Sequence, residues 1–138
     1  MSKNLVLVAG NIGAGKTSLA DKLGARLGWH VAHESVEDNP YLADFYRDMR
    51  AWSFHLQIFF LGHRAKQLED LAAMRRSAII DRSIYEDAHI FARALYELGN
   101  MSGRDYQAYR SLYRLVVSKL PKPNLLIYIQ ASRSEERR

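Results

Sequence analysis

The run Gly10-Asn11-Ile12-Gly13-Ala14-Gly15-Lys16-Thr17 follows directly on the apolar segment Leu5-Val6-Leu7-Val8-Ala9, and this adjacency restricts the fold more than any other feature of the chain. The eight residues complete the pattern G-x-x-x-x-G-K-[ST]. In such a context a buried strand ends at Ala9. The glycines then let the backbone curl until its N–H groups face an anion, and a helix starts near Lys16 with its positive dipole end toward the same point. The implied ligand is a nucleoside triphosphate. Lys16 reaches the β- and γ-phosphates as a point charge, and the Thr17 hydroxyl completes the coordination of Mg²⁺. The competing reading is a glycine-rich turn that binds nothing, which the strand-loop-helix context disfavours.

A chain of 138 residues with 48% hydrophobic composition suits one globular domain, 1–138, so both ligands of any transfer reaction must be held by that domain. There is no cysteine, which excludes disulfides, thiolate metal sites and cysteine redox chemistry. Met1-Ser2-Lys3-Asn4 leads straight into the first strand without a signal peptide, and the apolar runs are too short to cross a bilayer. A soluble, cytoplasmic protein with no membrane partner is expected. The formal charge of +5 is scattered: Arg75-Arg76 and Arg133, Arg137 and Arg138 are its nearest approach to clusters, and other basic residues have acidic neighbours such as Asp48, Glu69 and Asp70. That distribution argues against nucleic acid as a partner.

Element types alternate along the chain. The pattern predicts strands over residues 4–9, about 30–34, 77–81 and 124–129, with helices over about 16–27, 41–50, 52–74, 84–98 and 103–118. The alternation implies an α/β fold with a parallel sheet flanked by helices, its strands buried on both faces. Ligands of open α/β sheets bind outside the carboxyl ends of the strands. Three polar groups fall there and are expected to converge on one cleft: the phosphate loop after Ala9, Glu34 after Val31-Ala32-His33, and Asp81-Arg82-Ser83 after Ala78-Ile79-Ile80. Glu34 is placed to accept a proton from a hydroxyl attacking the γ-phosphate. Asp81 would hold Mg²⁺ directly or through water, and Arg82 would neutralise charge on the transferring phosphoryl group. The alternative is that Asp81 and Arg82 only cap the next helix and pair with each other; Ser83 reads as an ordinary N-cap.

The long helical stretch carries the clue to the second substrate. Gln57 and Arg64 lie seven residues apart, close to two turns, and so project from one face among Phe54, Phe59 and Phe60. A planar base needs such polar groups in an apolar surface. Gln57 offers a donor and an acceptor, Arg64 a rigid donor fork, and Asp87 would orient Arg64 through a charge-assisted pair. Phe91, one turn beyond Asp87, is positioned to stack on the base. The three phenylalanines themselves read as core, and His55 and His63 as surface groups without metal-binding spacing.

Taken together, Gly10 to Thr17, His33-Glu34-Ser35-Val36-Glu37-Asp38-Asn39-Pro40-Tyr41, Phe54-His55-Leu56-Gln57 and Asp81-Arg82-Ser83-Ile84-Tyr85-Glu86-Asp87 resemble the deoxynucleoside kinase family, and most of all its bacterial deoxyadenosine/deoxyguanosine kinases. The resemblance extends from Asn4 to about Gln130. It implies a P-loop nucleoside kinase fold and transfer of the ATP γ-phosphate to the 5′-hydroxyl of a deoxynucleoside in nucleotide salvage. It makes Glu34 resemble the general base and Arg82 the arginine near that hydroxyl and the phosphates. Tyr46 corresponds to the tyrosine at the sugar 3′-hydroxyl and Gln57 to the base-binding glutamine. Arg64 and Asp87 correspond to the pair in members that accept purines or cytosine, which points to a purine preference. A homodimer through the long helices is a further family expectation.

Two departures stand out. Ser35 replaces the proline that many members carry after the catalytic glutamate. After Ile129-Gln130-Ala131-Ser132 the family continues into a helix and an arginine-rich lid, then a further strand and helix, whereas this sequence stops at Arg138. Four sheet strands are therefore expected, with the last family strand missing, and the domain is expected to be incomplete at its C-terminus. Loss of lid arginines would cost about 10³-fold or more in rate. Two other readings of the residues stay open: another small P-loop kinase, such as a nucleoside monophosphate kinase, and an ATP-binding fragment with impaired catalysis.

Overall fold

The computed structural model describes residues 3–10, 15–33, 39–81 and 83–129. The chain divides into two compact units, one comprising Met1–Glu34, Asp70–Ser83 and Pro121–Arg138, the other Ser35–Glu69 and Ile84–Leu120.

The first unit is built on a four-stranded parallel sheet of β1 (Leu5–Gly10), β2 (His30–Ala32), β3 (Ala78–Asp81) and β4 (Leu125–Ile129), in the order β2-β3-β1-β4. β1 pairs with β3 from Leu5↔Ala78 to Val8↔Asp81 and with β4 from Val6↔Leu125 to Gly10↔Ile129. Helix α1 (Lys16–Leu27) leaves β1 for β2, which pairs with β3. Because β4 lies on the other side of β1, the strand order reverses at β1, and the switch point of an open α/β sheet falls at its carboxyl end. The phosphate-loop sequence begins there. The aliphatic runs explain the centre: Val6, Val8 and Ile79 are buried with Ala20 of α1, and Leu19, Leu23, Trp29, Val31, Ile127 and Ile129 pack around them. Asn124 pins the start of β4, its side chain accepting from Leu5 N–H at 2.6 Å while its own N–H donates to the Leu5 carbonyl at 2.8 Å.

Burial of the strands on both faces, expected from their composition, holds for β1 and β3 but not for the other two. β2 is half-buried, and Leu125, Leu126 and Tyr128 of β4 are more than half exposed. Among the described residues β2 and β4 are the two edge strands of the sheet, each paired on one side.

The second unit is helical. Asn39, buried, opens it with an Asx turn: its side-chain oxygen accepts from Tyr41 N–H at 2.9 Å and its amide donates to the Leu56 carbonyl at 3.3 Å. Helix α2 (Leu42–Arg47) gives way to α3 (Met49–Ala73) at Asp48, earlier than the residue 51 that the sequence pattern predicts. The reason is local. Asp48 takes an extended backbone (φ −153°, ψ 93°), and its carboxylate then accepts from Ala51 N–H at 3.3 Å, capping the next helix.

The single helix expected over 84–98 is a composite of α4 (Ile84–Glu86), a π-helical segment (Asp87–Ala92) and α5 (Arg93–Glu97). Helix α6 (Gly103–Ser118) starts at Ser102, whose hydroxyl accepts from Asp105 N–H at 3.1 Å. It buries Tyr106, Tyr109 and Tyr113 at helical spacing, and Tyr106 stacks on Tyr96 of α5 with centroids 4.6 Å apart. Pro121 and Pro123 follow and keep the chain from continuing as helix. Among the described residues no helix is long and apolar enough to cross a membrane.

Candidate active site

In the first unit the polar groups gather at the carboxyl ends of β1, β2 and β3. Gly15 stands at the N-cap of α1 in the left-handed region (φ 91°), a conformation that side chains with a Cβ rarely adopt, and it delivers Lys16 and Thr17 to the first turn. Thr17 Oγ1 donates to Asp81 Oδ2 at 2.7 Å. The β1–β3 register explains the meeting: Asp81 is level with Val8, two residues before Gly10, so the end of β3 lies beside the strand that feeds the loop. Asp81 is buried, with 5% of its surface exposed.

His33, the residue after β2, joins the same group. Its Nδ1 lies 3.4 Å from Asp81 Oδ2 and its Nε2 lies 2.7 Å from Asp21 Oδ1. Burial is the largest single influence on the ring and pulls its pKa down, but the hydrogen bonds and negative charges of Asp21 and Asp81 outweigh it. The His33 pKa is left above the ordinary histidine value.

A hydroxyl and a carboxylate this close form a hard oxygen pair of the kind Mg²⁺ uses when phosphates supply other positions. Among the described residues no group of three or more His, Asp or Glu side chains could hold a metal ion by itself, so any ion would need such outside ligands. The residues present fit Mg²⁺ bound together with a polyphosphate.

In the second unit, α3 buries Gln57 and Arg64 on one face, at 3% and 1% exposure. Arg64 Nε donates to Asp87 Oδ2 at 3.0 Å, and the guanidinium lies 5.2 Å from the centroid of the Phe60 ring. Asp87 opens the π-helical segment, the looser turn that often marks a functional position, and Phe91 sits in the same segment, half-buried. Gln57 Oε1 is buried and has no hydrogen-bond partner among the described residues. An orphaned acceptor of this kind is costly unless a ligand or water satisfies it. Tyr109 OH is buried without such a partner too, and its pKa is raised by that burial and then by the charge of Asp87. Tyr46 is 67% exposed on α2, with a ring contact to Phe45.

The structure thus brings together Thr17 with Asp81, and Arg64 with Asp87. Asn11, Ile12, Gly13, Ala14, Glu34 and Arg82 lie outside the described residues, as do Ser35, Arg133, Arg137 and Arg138. Of the three phenylalanines expected in the core, Phe60 is buried whereas Phe54 and Phe59 are half-buried, and His55 and His63 are exposed. The sequence reading gives no role to Asp21, His33 or Tyr109. A signal for the first was present: Asp21 is four residues past Thr17, hence on the same helix face.

Comparison with known proteins places the chain in a family. The deoxynucleoside kinase family matches residues 6–137. The chain is 43% identical over 129 residues to a deoxyadenosine/deoxycytidine kinase of Bacillus subtilis (strain 168), covering 92% of this chain and 59% of that protein. It is 40% identical over 129 residues to a deoxyguanosine kinase of the same organism, covering 92% and 60%. It therefore spans about three fifths of the length of these curated relatives. The solved structure of deoxyadenosine kinase from M. mycoides with bound dATP is similar with a TM-score of 0.82 at 31% identity, over 97% of this chain and 68% of that one. By sequence and by fold, the chain belongs to the deoxynucleoside kinase family.

Proposed function

We propose that this chain carries out transfer of the ATP γ-phosphate to the 5′-hydroxyl of a deoxynucleoside, with purine deoxynucleosides preferred, as a step of nucleotide salvage in the cytoplasm. The observation that carries this reading is the 2.7 Å bond between Thr17 and Asp81 at the strand ends beside a complete phosphate-loop sequence, in a chain of this family. The Thr17 hydroxyl and the Asp81 carboxylate would hold Mg²⁺, which when bound neutralises charge on the β- and γ-phosphates. Backbone N–H groups from Gly10 to Gly15, including those of Asn11, Ile12, Gly13 and Ala14, would cradle the phosphates, with Lys16 as a point charge on them.

Glu34 takes the proton of the 5′-hydroxyl as that oxygen bonds to the γ-phosphorus. The bond from the γ-phosphorus to its bridging oxygen breaks, and ADP leaves with the electron pair. Arg82 offsets the charge that spreads over the transferring phosphoryl group. In the second unit Tyr46 would take the sugar 3′-hydroxyl, Gln57 and the Arg64–Asp87 pair the polar edges of the base, and Phe91 its face. The unsatisfied Gln57 Oε1 supports this assignment, since an acceptor left open in the core is what a donor on a bound base would satisfy. A single functional domain and a homodimer through the long helices belong to the same reading.

The test is incubation with Mg²⁺ and ATP alongside the four deoxynucleosides and their monophosphates, with products identified by mass. Deoxyadenosine or deoxyguanosine 5′-monophosphate is expected first. Conversion of monophosphates alone would move the protein to the nucleoside monophosphate kinases, and ATP binding without any transfer would leave it a nucleotide-binding protein.

A further inference from the structure

Four side chains of the first unit close a ring over three elements. Thr17 and Asp21 sit one turn apart on α1. Thr17 bonds Asp81 at the end of β3 at 2.7 Å, Asp81 faces His33 Nδ1 at 3.4 Å, and His33 Nε2 returns to Asp21 at 2.7 Å. The β2–β3 register, Ala32↔Ile80, brings His33 level with Asp81 when continued by one residue. β2 itself is only three residues long and half-buried, so its own ladder gives the strand end little hold.

From this ring we infer that His33 is a positioning residue for phosphoryl transfer: it bridges Asp21 and Asp81 and holds the Asp81 carboxylate against Thr17. The inference rests on the kinase reading, in which Thr17 and Asp81 hold Mg²⁺ and Glu34 is the base.

Exposure separates this role from a merely structural one. The side chains of Asp21 and His33 are 57% and 42% exposed, and ion pairs that open to water add little to stability. Asp81 is the buried member, with few ways to relax. Loss of the His33 ring should therefore leave the fold standing and loosen the carboxylate at the metal position. Residues that orient a metal ligand in this way are typically worth about 10–100-fold in metal affinity or activity.

The experiment compares the wild type with His33→Ala, His33→Gln and Asp21→Asn. Mn²⁺ binding to the protein saturated with a non-hydrolysable ATP analogue is read by electron paramagnetic resonance, alongside Tm, kcat and the KM for the deoxynucleoside. Expected for His33→Ala are Mn²⁺ binding weakened about tenfold and kcat lowered by a similar factor, with nucleoside KM unchanged and Tm within a few degrees of wild type. His33→Gln, which keeps an N–H donor, should recover part of both losses, and Asp21→Asn should show a smaller loss of the same kind. Unchanged Mn²⁺ affinity in His33→Ala overturns the inference, as does a loss of affinity that only tracks a large fall in Tm. If the wild type binds Mn²⁺ with the analogue yet transfers no phosphate to any deoxynucleoside, the kinase reading fails while the Mn²⁺ comparison still decides the role of His33.

Discussion

Arg64 on α3 donates through Nε to Asp87 Oδ2 at 3.0 Å, and both side chains are almost wholly buried. Two charges taken out of water in this way offset part of each other's desolvation cost. Removing one is expensive, whereas replacing both with apolar groups is often neutral.

Asp87→Ala should therefore destabilise the protein by about 3 kcal/mol or more in urea unfolding, and Arg64→Met with Asp87→Leu should recover much of that loss. Both variants should also change the ranking of purine against pyrimidine deoxynucleosides. A single-variant loss under about 1 kcal/mol, with an unaltered ranking, would contradict the account of this pair.

Asp81→Asn keeps the size and one acceptor of the side chain but removes its charge beside Thr17. Binding of Mn²⁺ together with an ATP analogue should weaken about 10–100-fold, measured by isothermal titration, with a much smaller change in nucleotide affinity without metal. Equal metal affinity in the variant would remove Asp81 from the metal position.

Gly24 lies where α1 meets β2, and a Cβ built on it would come within 2.2 Å of Val31 Cγ2. Two effects of Gly24→Ala compete. Helix propensity favours alanine by up to about 1 kcal/mol, while overpacking against the stiff branched valine costs about 1–3 kcal/mol. The net expectation is a lower Tm, and a higher Tm would show that Val31 yields freely.

Tyr113 is buried in α6, and its hydroxyl meets His89 Nε2 at 3.2 Å. Burial, and then the charge of Tyr85, push its phenol up from 10.0 to about 12. The folded state thus keeps the proton longer than the unfolded chain does. The associated stability is fully present below pH 10.0 and is lost as pH rises through about 12. Urea unfolding between pH 9 and 12 should show this decline in the wild type and a shallower one in Tyr113→Phe; identical slopes would contradict it.

Much of this architecture was legible in the chain because its signals are local. The aliphatic runs around Val6 and Ile79 mark central strands, and the glycine-rich octapeptide marks the turn into α1. Helical spacing puts Gln57 and Arg64 on one face, and Asp87 on the following helix, expected to meet Arg64 as an opposite charge, does so. What escaped depends on a side chain's particular partner or on position in the sheet. The helix break moved to Asp48 because its carboxylate caps Ala51. The exposure of Leu125, Leu126 and Tyr128 goes with the edge position of β4 in the described sheet, which the apolar run does not signal. The π-helical turn at Asp87 has no periodicity signal of its own within a short helix. Asp21, His33 and Asp81 stand 48 or more positions apart along part of their ring, so only the β2–β3 register brings His33 to Asp81.

The most direct measurement of the central claim is transfer of labelled γ-phosphate from ATP to deoxyadenosine and deoxyguanosine, by the wild type and by Glu34→Gln, with ATP affinity measured in both. The account predicts label on the 5′-oxygen with the wild type. It predicts a rate lower by about 100-fold or more in Glu34→Gln, with ATP affinity unchanged. A folded, ATP-binding wild type that labels no deoxynucleoside, or a Glu34→Gln protein that transfers at the wild-type rate, would contradict it.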